Sequence, residues 1–289
     1  MKRIIICDSG LGGLNIAAGF CRRDNAGEPC ELLYFNAYPE AGTGFNKLPS
    51  PRAQEELLQE VLESMKKYSP DMCLIACNTL SIVYERLAKR YIPAFPVHGI
   101  IDCAVNGMHR ALLENKDSAL LVLGTGTTVS SGVYTQRLTE RNIAPERLAA
   151  LACPGLATAL ESDPQAPEIA GTIGRYAAEA AGLLPMDLPV LHLALCCTHF
   201  EFAGELWQQQ FQKYFSGRIN IVNPNTLLTA DASAVSCRYL ARIGFFPGAL
   251  RAMTGFFAGR APMLAKALEC AQIDEKLFTF NNSIYKETK

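Results

Sequence analysis

The 289-residue chain has almost no net charge, four histidines and a single tryptophan: 27 Lys and Arg stand against 28 Asp and Glu, for a formal charge of −1. So even a balance supplies no field for gathering nucleic acid or an anionic membrane surface, and neither is an expected partner. No apolar run approaches the roughly 20 residues that a bilayer span requires. The opening Met1-Lys2-Arg3-Ile4-Ile5-Ile6 runs into Asp8 before the core of an export signal is complete, so a cytoplasmic protein is expected. There is no C-x-x-C pair, and His98, His109, His192 and His199 form no zinc-ligand ladder with the cysteines. Gly10-Leu11-Gly12-Gly13 lacks both the G-x-G-x-x-G spacing and the lysine of a phosphate loop. Neither a metal nor a nucleotide cofactor is therefore expected. Low-complexity segments are missing too, and the sequon Asn281-Asn282-Ser283 carries no meaning in a chain expected to stay inside the cell.

What the chain has is apolar content, 49% of its residues, in enough length for one large domain or two smaller ones. Short apolar runs such as Ile4-Ile5-Ile6-Cys7, Leu32-Leu33-Tyr34-Phe35-Asn36 and Leu120-Leu121-Val122-Leu123 alternate with segments of helical period, which is the α/β pattern. Ser50-Pro51 places a capping residue before a proline at the first helical position. Leu57, Leu58, Val61, Leu62, Met65 and Tyr68 then recur on one helical face. Further helices are predicted over Ser81 to Lys89, Ile169 to Leu184, Phe202 to Tyr214 and Ala230 to Ile243.

Eleven cysteines in a long chain with no export signal read mostly as small core hydrophobes, Cys7, Cys73 and Cys196 above all. Cys77-Asn78-Thr79 and Cys197-Thr198-His199 are different. Each directly follows a buried-strand run, at the place where parallel sheets present ligand-binding loops. The strand-to-loop junctions also recur: Gly124 lies 116 positions after Asp8, Leu148 lies 116 after Leu32, and Cys197 lies 120 after Cys77. Two similar α/β halves are predicted, each with a thiol at the equivalent place. Pro93 and Pro96 mark the crossing, giving one domain over 1–98 with about 215–289 and a second over 99–214, with the return near Phe215-Ser216-Gly217. Taken singly, Asp8 reads as the cap of a helix beginning near Gly12, Asn78 and Thr79 as caps of the next helix, His199 as a loop histidine and Glu161 as a solvated helix residue.

Together, Asp8-Ser9-Gly10-Leu11-Gly12-Gly13-Leu14, Ala76-Cys77-Asn78-Thr79, Gly124-Thr125-Gly126-Thr127-Thr128 with Ser131-Gly132-Val133-Tyr134, Ala152-Cys153-Pro154 followed by Glu161, and Cys197-Thr198-His199-Phe200 resemble the ordered signatures of the glutamate racemases in the aspartate/glutamate racemase superfamily. The resemblance implies two Rossmann-like α/β domains with parallel-sheet cores and an active-site cleft between them. It also implies a racemase that needs no pyridoxal phosphate or other cofactor, with two cysteines on opposite faces of the substrate α-carbon. Carried over by position, Cys77 and Cys197 are the acid-base pair, Asp8 serves the first thiol, and Glu161 and His199 serve the second. Ser9, Asn78, Thr79, Thr198 and Thr128 bind the small amino-acid substrate. A cytoplasmic enzyme supplying a D-amino acid for peptidoglycan follows from the same resemblance; a homodimer is a candidate assembly only.

One stretch departs from it. Typical glutamate racemases follow the second strand with a Gly-Asp pair and a Pro-Tyr-Gly tripeptide that helps to hold the distal carboxylate; here Asn36-Ala37-Tyr38-Pro39-Glu40-Ala41-Gly42-Thr43-Gly44-Phe45-Asn46 stands instead. Gly42, Thr43 and Gly44 are the candidate replacement donors, through backbone N–H groups. Glu40 and Phe45 are candidates to reshape the pocket. Glutamate is the first candidate substrate. The alternatives are another amino acid, a relative using the scaffold for decarboxylation, and a binding protein without turnover.

Overall fold

The computed structural model describes residues 1–22, 27–244 and 247–280; the sequon at Asn281 lies outside them. Two compact units emerge, Met1–Gly99 with Thr229–Lys289, and Ile100–Leu228. The first contains β1 (Lys2–Asp8), α1 (Leu14–Phe20), β2 (Glu28–Asn36), α2 (Pro51–Met65), β3 (Met72–Ile75), α3 (Asn78–Leu87) and β4 (Val97–Gly99). The second runs through α4 (Ile101–Glu114), β5 (Ala119–Gly124), α5 (Gly126–Ser130), α6 (Val133–Thr139), β6 (Leu148–Ala152), α7 (Leu156–Ser162), α8 (Glu168–Ala180), β7 (Val190–Cys196), α9 (Leu206–Phe211) and β8 (Arg218–Val222). The chain then returns to the first unit with β9 (Ala232–Ala241), α10 (Pro247–Ala258), α11 (Pro262–Glu269) and β10 (Gln272–Ile273).

Each unit has a parallel sheet, in the orders β10-β9-β2-β1-β3-β4 and β6-β5-β7-β8. The run β2-β1-β3-β4 has the same topology as β6-β5-β7-β8, so the repeat seen in the spacing of the loops is a repeat of sheet order. In both sheets a thiol tripeptide follows the strand next to the one that opens the unit's sheet, β3 beside β1 and β7 beside β5.

The local sequence explains the helices that flank these strands. Ser50 Oγ accepts the Ala53 N–H at 3.1 Å and starts α2 at Pro51. The predicted stripe of Leu57, Leu58, Val61, Leu62 and Met65 is buried against the sheet core. In the second unit every residue of β5 and of β7 is buried, as expected of a strand covered on both faces. Trp207 and Phe211 anchor α9 on Phe200 and Phe215, with ring centroids 5.3 to 6.2 Å apart.

Two expectations fail. Residues 232–241 form strand β9, where a helix was predicted over Ala230 to Ile243. The alanines favour helix locally, but β2 offers an open parallel edge, and β9 pairs with it from Glu28↔Ala232 to Asn36↔Ala241. The return to the first unit also comes later than the predicted 215. Residues Arg218–Val222 form β8 and pair with β7, extending the second sheet before the chain leaves it after Leu228.

Candidate active site

In the first unit β1 ends at Asp8, a carboxylate with no exposed surface. Asp8 does not cap the helix predicted near Gly12, because α1 begins at Leu14 behind Gly13 with no side-chain cap; its Oδ1 instead accepts the Gly10 N–H at 2.8 Å in a tight turn that carries Ser9. A side chain at Gly13 would meet Ala76 Cβ and Asp8 Cβ at 2.9 Å and Asp8 Oδ2 at 3.0 Å, so a glycine is required where this backbone passes both the carboxylate and the residue preceding Cys77. Ala76 extends the β1–β3 pairing by donating to the Cys7 carbonyl at 2.9 Å. Cys77 then leaves the strand as the N-cap of α3, its sulfur facing the Leu80 N–H at 3.5 Å. Ser9 Oγ stands 3.1 Å from Cys77 Sγ. A helix N-terminus and a hydroxyl able to donate to the sulfur are both groups that stabilise a thiolate when one forms. Asn78 and Thr79 lie buried in the first turn of α3, beside the thiol.

The second unit builds a different environment for its thiol. Cys197 follows β7 and opens a short 3-10 helix, Thr198–Ala203. Its sulfur lies 3.8 Å from His199 Nδ1, while His199 Nε2 lies 3.2 Å from Glu161 Oε1, on α7. Burial disfavours the imidazolium, but the Glu161 carboxylate and the Cys197 sulfur outweigh it and hold the His199 pKa well above the usual histidine value. An imidazolium donates from both nitrogens, one toward the sulfur and one toward the carboxylate. The loop histidine and the solvated glutamate of a residue-by-residue reading are thus one ion pair aimed at a thiol, the histidine buried and the glutamate partly so.

Sequence reasoning missed what holds this loop. Asn225, just after β8, donates from Nδ2 to the Thr198 carbonyl at 3.1 Å and to Glu201 Oε2 at 2.8 Å, and Trp207 Nε1 donates to the Phe200 carbonyl at 2.8 Å. Nothing in the local pattern around Asn225 or Trp207 marks them, since their partners are brought together only by the fold. Thr128 is buried in α5, its N–H donating to the capping Thr125 Oγ1 at 3.3 Å and its hydroxyl 3.1 Å from the same oxygen, so it is tied to the cap of that helix at the end of β5.

The other cysteines near the strand ends are quiet. Cys7 and Cys196 are fully buried with pKa values pushed well up, Cys7 by its contact with Cys73 and by burial, Cys196 by burial foremost. Burial raises Cys153 in the same way. Among the described residues no group of His, Cys, Asp and Glu is arranged to hold a metal ion.

The stretch that departs from the resemblance also takes an unexpected form. Thr43 donates its N–H to the Glu40 carbonyl at 2.9 Å in a short turn around Gly42, whose φ is +78°. That N–H is committed within the turn, and Lys47 Nζ caps the Gly42 carbonyl at 2.8 Å. Phe45, a candidate pocket wall, is 1% exposed and packs in the core of the first unit. An aromatic ring next to a turn is drawn inward because its burial outweighs the cost of bending the chain.

Residues 26–229 match the model of the family described as Asp/Glu/Hydantoin racemase. The glutamate racemase of Lysinibacillus sphaericus (strain C3-41) is 27% identical over 231 residues, covering 78% of either chain. Among solved structures, glutamate racemase isoform RacE1 from Bacillus anthracis superposes with a TM-score of 0.67 at 18% identity, covering 94% of this chain and 96% of that one. The glutamate racemase of Francisella tularensis, in complex with D-glutamate, has a TM-score of 0.58 at 18% identity and covers 94% of each chain. No helix among the described residues is long and apolar enough to cross a membrane.

Proposed function

Because the chain belongs to the Asp/Glu/Hydantoin racemase family, we propose that it is a cofactor-independent amino-acid racemase, an isomerase with glutamate as first substrate. The observation that carries this reading is the pair of thiols in equivalent positions of a repeated sheet, each furnished with donors of a different kind. Cys77 has the Ser9 hydroxyl and the first turn of α3; Cys197 has the His199–Glu161 pair.

In this reading the two thiols act on opposite faces of one α-carbon. Cys77 as thiolate takes the α-proton while Cys197 as thiol delivers one to the other face, and the reverse reaction exchanges the roles. His199 stabilises the charge left on Cys197 after it has given up its proton, and Glu161 keeps the imidazole protonated for that purpose. Asp8 sets the turn that carries Ser9 and contributes a carboxylate beside the first thiol. Asn78, Thr79 and Thr198 hold the α-carboxylate and ammonium groups, with Thr128 serving chiefly to keep the α5 loop in place. Neither a metal nor pyridoxal phosphate is required, since the thiols carry both proton transfers.

The D-glutamate in the Francisella tularensis relative supports a small amino-acid ligand here. A cytoplasmic enzyme feeding a D-amino acid to peptidoglycan, with a homodimer as a candidate assembly, completes the reading. One observation favours a second substrate class. Thr43 has lost its N–H to a turn, so at most two of the three donors proposed for a distal carboxylate remain, at Gly42 and Gly44. Chiral chromatography after incubating the purified protein with L-glutamate, without added cofactor, tests the reading: D-glutamate must form and the mixture must approach equal amounts of the two enantiomers.

A further inference from the structure

The turn Asp8-Ser9-Gly10 is gripped from behind by three buried polar side chains that the proposed chemistry does not use. The Gly10 carbonyl accepts from Tyr34 Oη at 2.7 Å and from Asn36 Nδ2 at 3.2 Å. Asn36 is oriented by two further bonds, its Oδ1 accepting the Tyr38 N–H at 2.9 Å and its Nδ2 reaching Tyr239 Oη at 2.8 Å. Tyr34 and Tyr239 stand in register on paired strands β2 and β9, rings stacked with centroids 5.5 Å apart and 11° between planes. Tyr34 and Asn36 have no exposed surface and Tyr239 has 1%. With Asp8 held by the Gly10 N–H and the Gly10 carbonyl held by two donors, the backbone on both sides of Ser9 is fixed, and with it the hydroxyl 3.1 Å from Cys77 Sγ.

We propose that Tyr34, Asn36 and Tyr239 form a positioning clamp that acts through Gly10 to keep the Ser9 hydroxyl on the Cys77 sulfur. A hydrogen bond weakens steeply with misalignment, so a turn free to tilt would lose the donor from the thiolate while the fold survived. The clamp's relevance to turnover rests on the reading of Cys77 as an acid-base group, but its effect on the sulfur can be read without turnover.

The experiment follows alkylation of Cys77 and Cys197 by iodoacetamide from pH 6 to 10, resolved by peptide mass mapping, in the full-length protein and in Ser9→Ala, Tyr34→Phe and Tyr239→Phe. Losing a hydroxyl donor to a thiolate moves the Cys77 profile of Ser9→Ala upward by about one pH unit. Tyr34→Phe moves it in the same direction by about half as much, and adding Tyr34→Phe to Ser9→Ala moves it no further, the non-additivity of residues that act as one unit. The Cys197 profile stays in place throughout. Tyr239→Phe leaves both donors to Gly10 in place and serves if Tyr34→Phe does not fold, with a smaller upward shift expected. In steady-state assays the tyrosine variants lose kcat with KM little changed. An unmoved Cys77 profile in variants that only melt earlier would reduce the three residues to structural roles and overturn the proposal, as would shifts that add in full to that of Ser9→Ala. If no amino acid exchanges its α-proton yet the Cys77 shift appears, the racemase reading falls and the clamp stands.

Discussion

His199 Nε2 lies 3.2 Å from Glu161 Oε1 while its Nδ1 faces the Cys197 sulfur at 3.8 Å. A histidine bridging a carboxylate and a thiol is protonated more readily than a free one, and this pair raises its pKa well above the ordinary value despite burial. Since the folded pKa exceeds the unfolded one, near 6.5, the pair's contribution to stability is fully present below about pH 6.5 and is lost as pH rises through the folded value. Glu161→Gln removes the cause. Urea denaturation from pH 6 to 9 should show wild-type stability declining toward alkaline pH and a flatter profile in the variant, with turnover lowered at least tenfold.

His192 should show the opposite slope. Buried on β7 with Nδ1 2.8 Å from Asn220 Nδ2, it has a pKa lowered mainly by desolvation. Its stabilising contribution is present above about pH 6.5 and lost as pH falls from there through the folded value. In His192→Gln the acid limb of the stability profile should flatten while the rate of racemisation near neutral pH stays within about threefold of wild type, because the residue sits within β7, well before the strand end that carries Cys197. A large loss of kcat at unchanged stability would place His192 in the chemistry.

Gly13→Ala offers a steric test of the first half-site. Its Cβ would stand 2.9 Å from both Ala76 Cβ and Asp8 Cβ, so the carboxylate or the start of α3 must shift. A cost of about 1–3 kcal/mol in stability is expected, together with a fall in kcat larger than that of any core alanine substitution of equal stability cost. Thermal melts paired with kinetics decide it.

The two half-sites were legible in the sequence to different depths. Apolar runs ending in Cys77 and Cys197 and the recurring spacing of the loops announce the strands and the repeat, because a buried parallel strand leaves a local signature. The His199–Glu161 pair came only from the resemblance, since two residues 38 positions apart carry no local mark. Asn36 and Tyr239 are 203 positions apart, and Tyr239 lies in the segment whose alanines point to helix; only the open edge of β2 turns it into a strand. The same limit hid the Thr43 turn, in which backbone pairing withdraws a donor that composition alone seemed to leave available.

Specificity turns on that donor. With Thr43 committed, discrimination between glutamate and glutamine should be modest, about tenfold or less, compared with the 10⁴–10⁵ reached by sites built around a full set of partners. Competing the two substrates at equal concentration and following each by chiral chromatography measures the ratio. A strong preference for glutamate would mean that other groups supply the missing hydrogen bond.

The central claim is that two thiols, one for each face, move the α-proton. Incubation in deuterium oxide with L- or D-glutamate and with a panel of neutral and basic amino acids, followed by NMR of the α-position, tests it most directly when run on wild type, Cys77→Ser and Cys197→Ser. The account predicts deuterium incorporation with interconversion in the wild type and a loss of roughly 10²–10⁴-fold or more in either variant, each still folded by circular dichroism. Interconversion at near wild-type rate in either serine variant, or no exchange with any amino acid in the wild type, would contradict it.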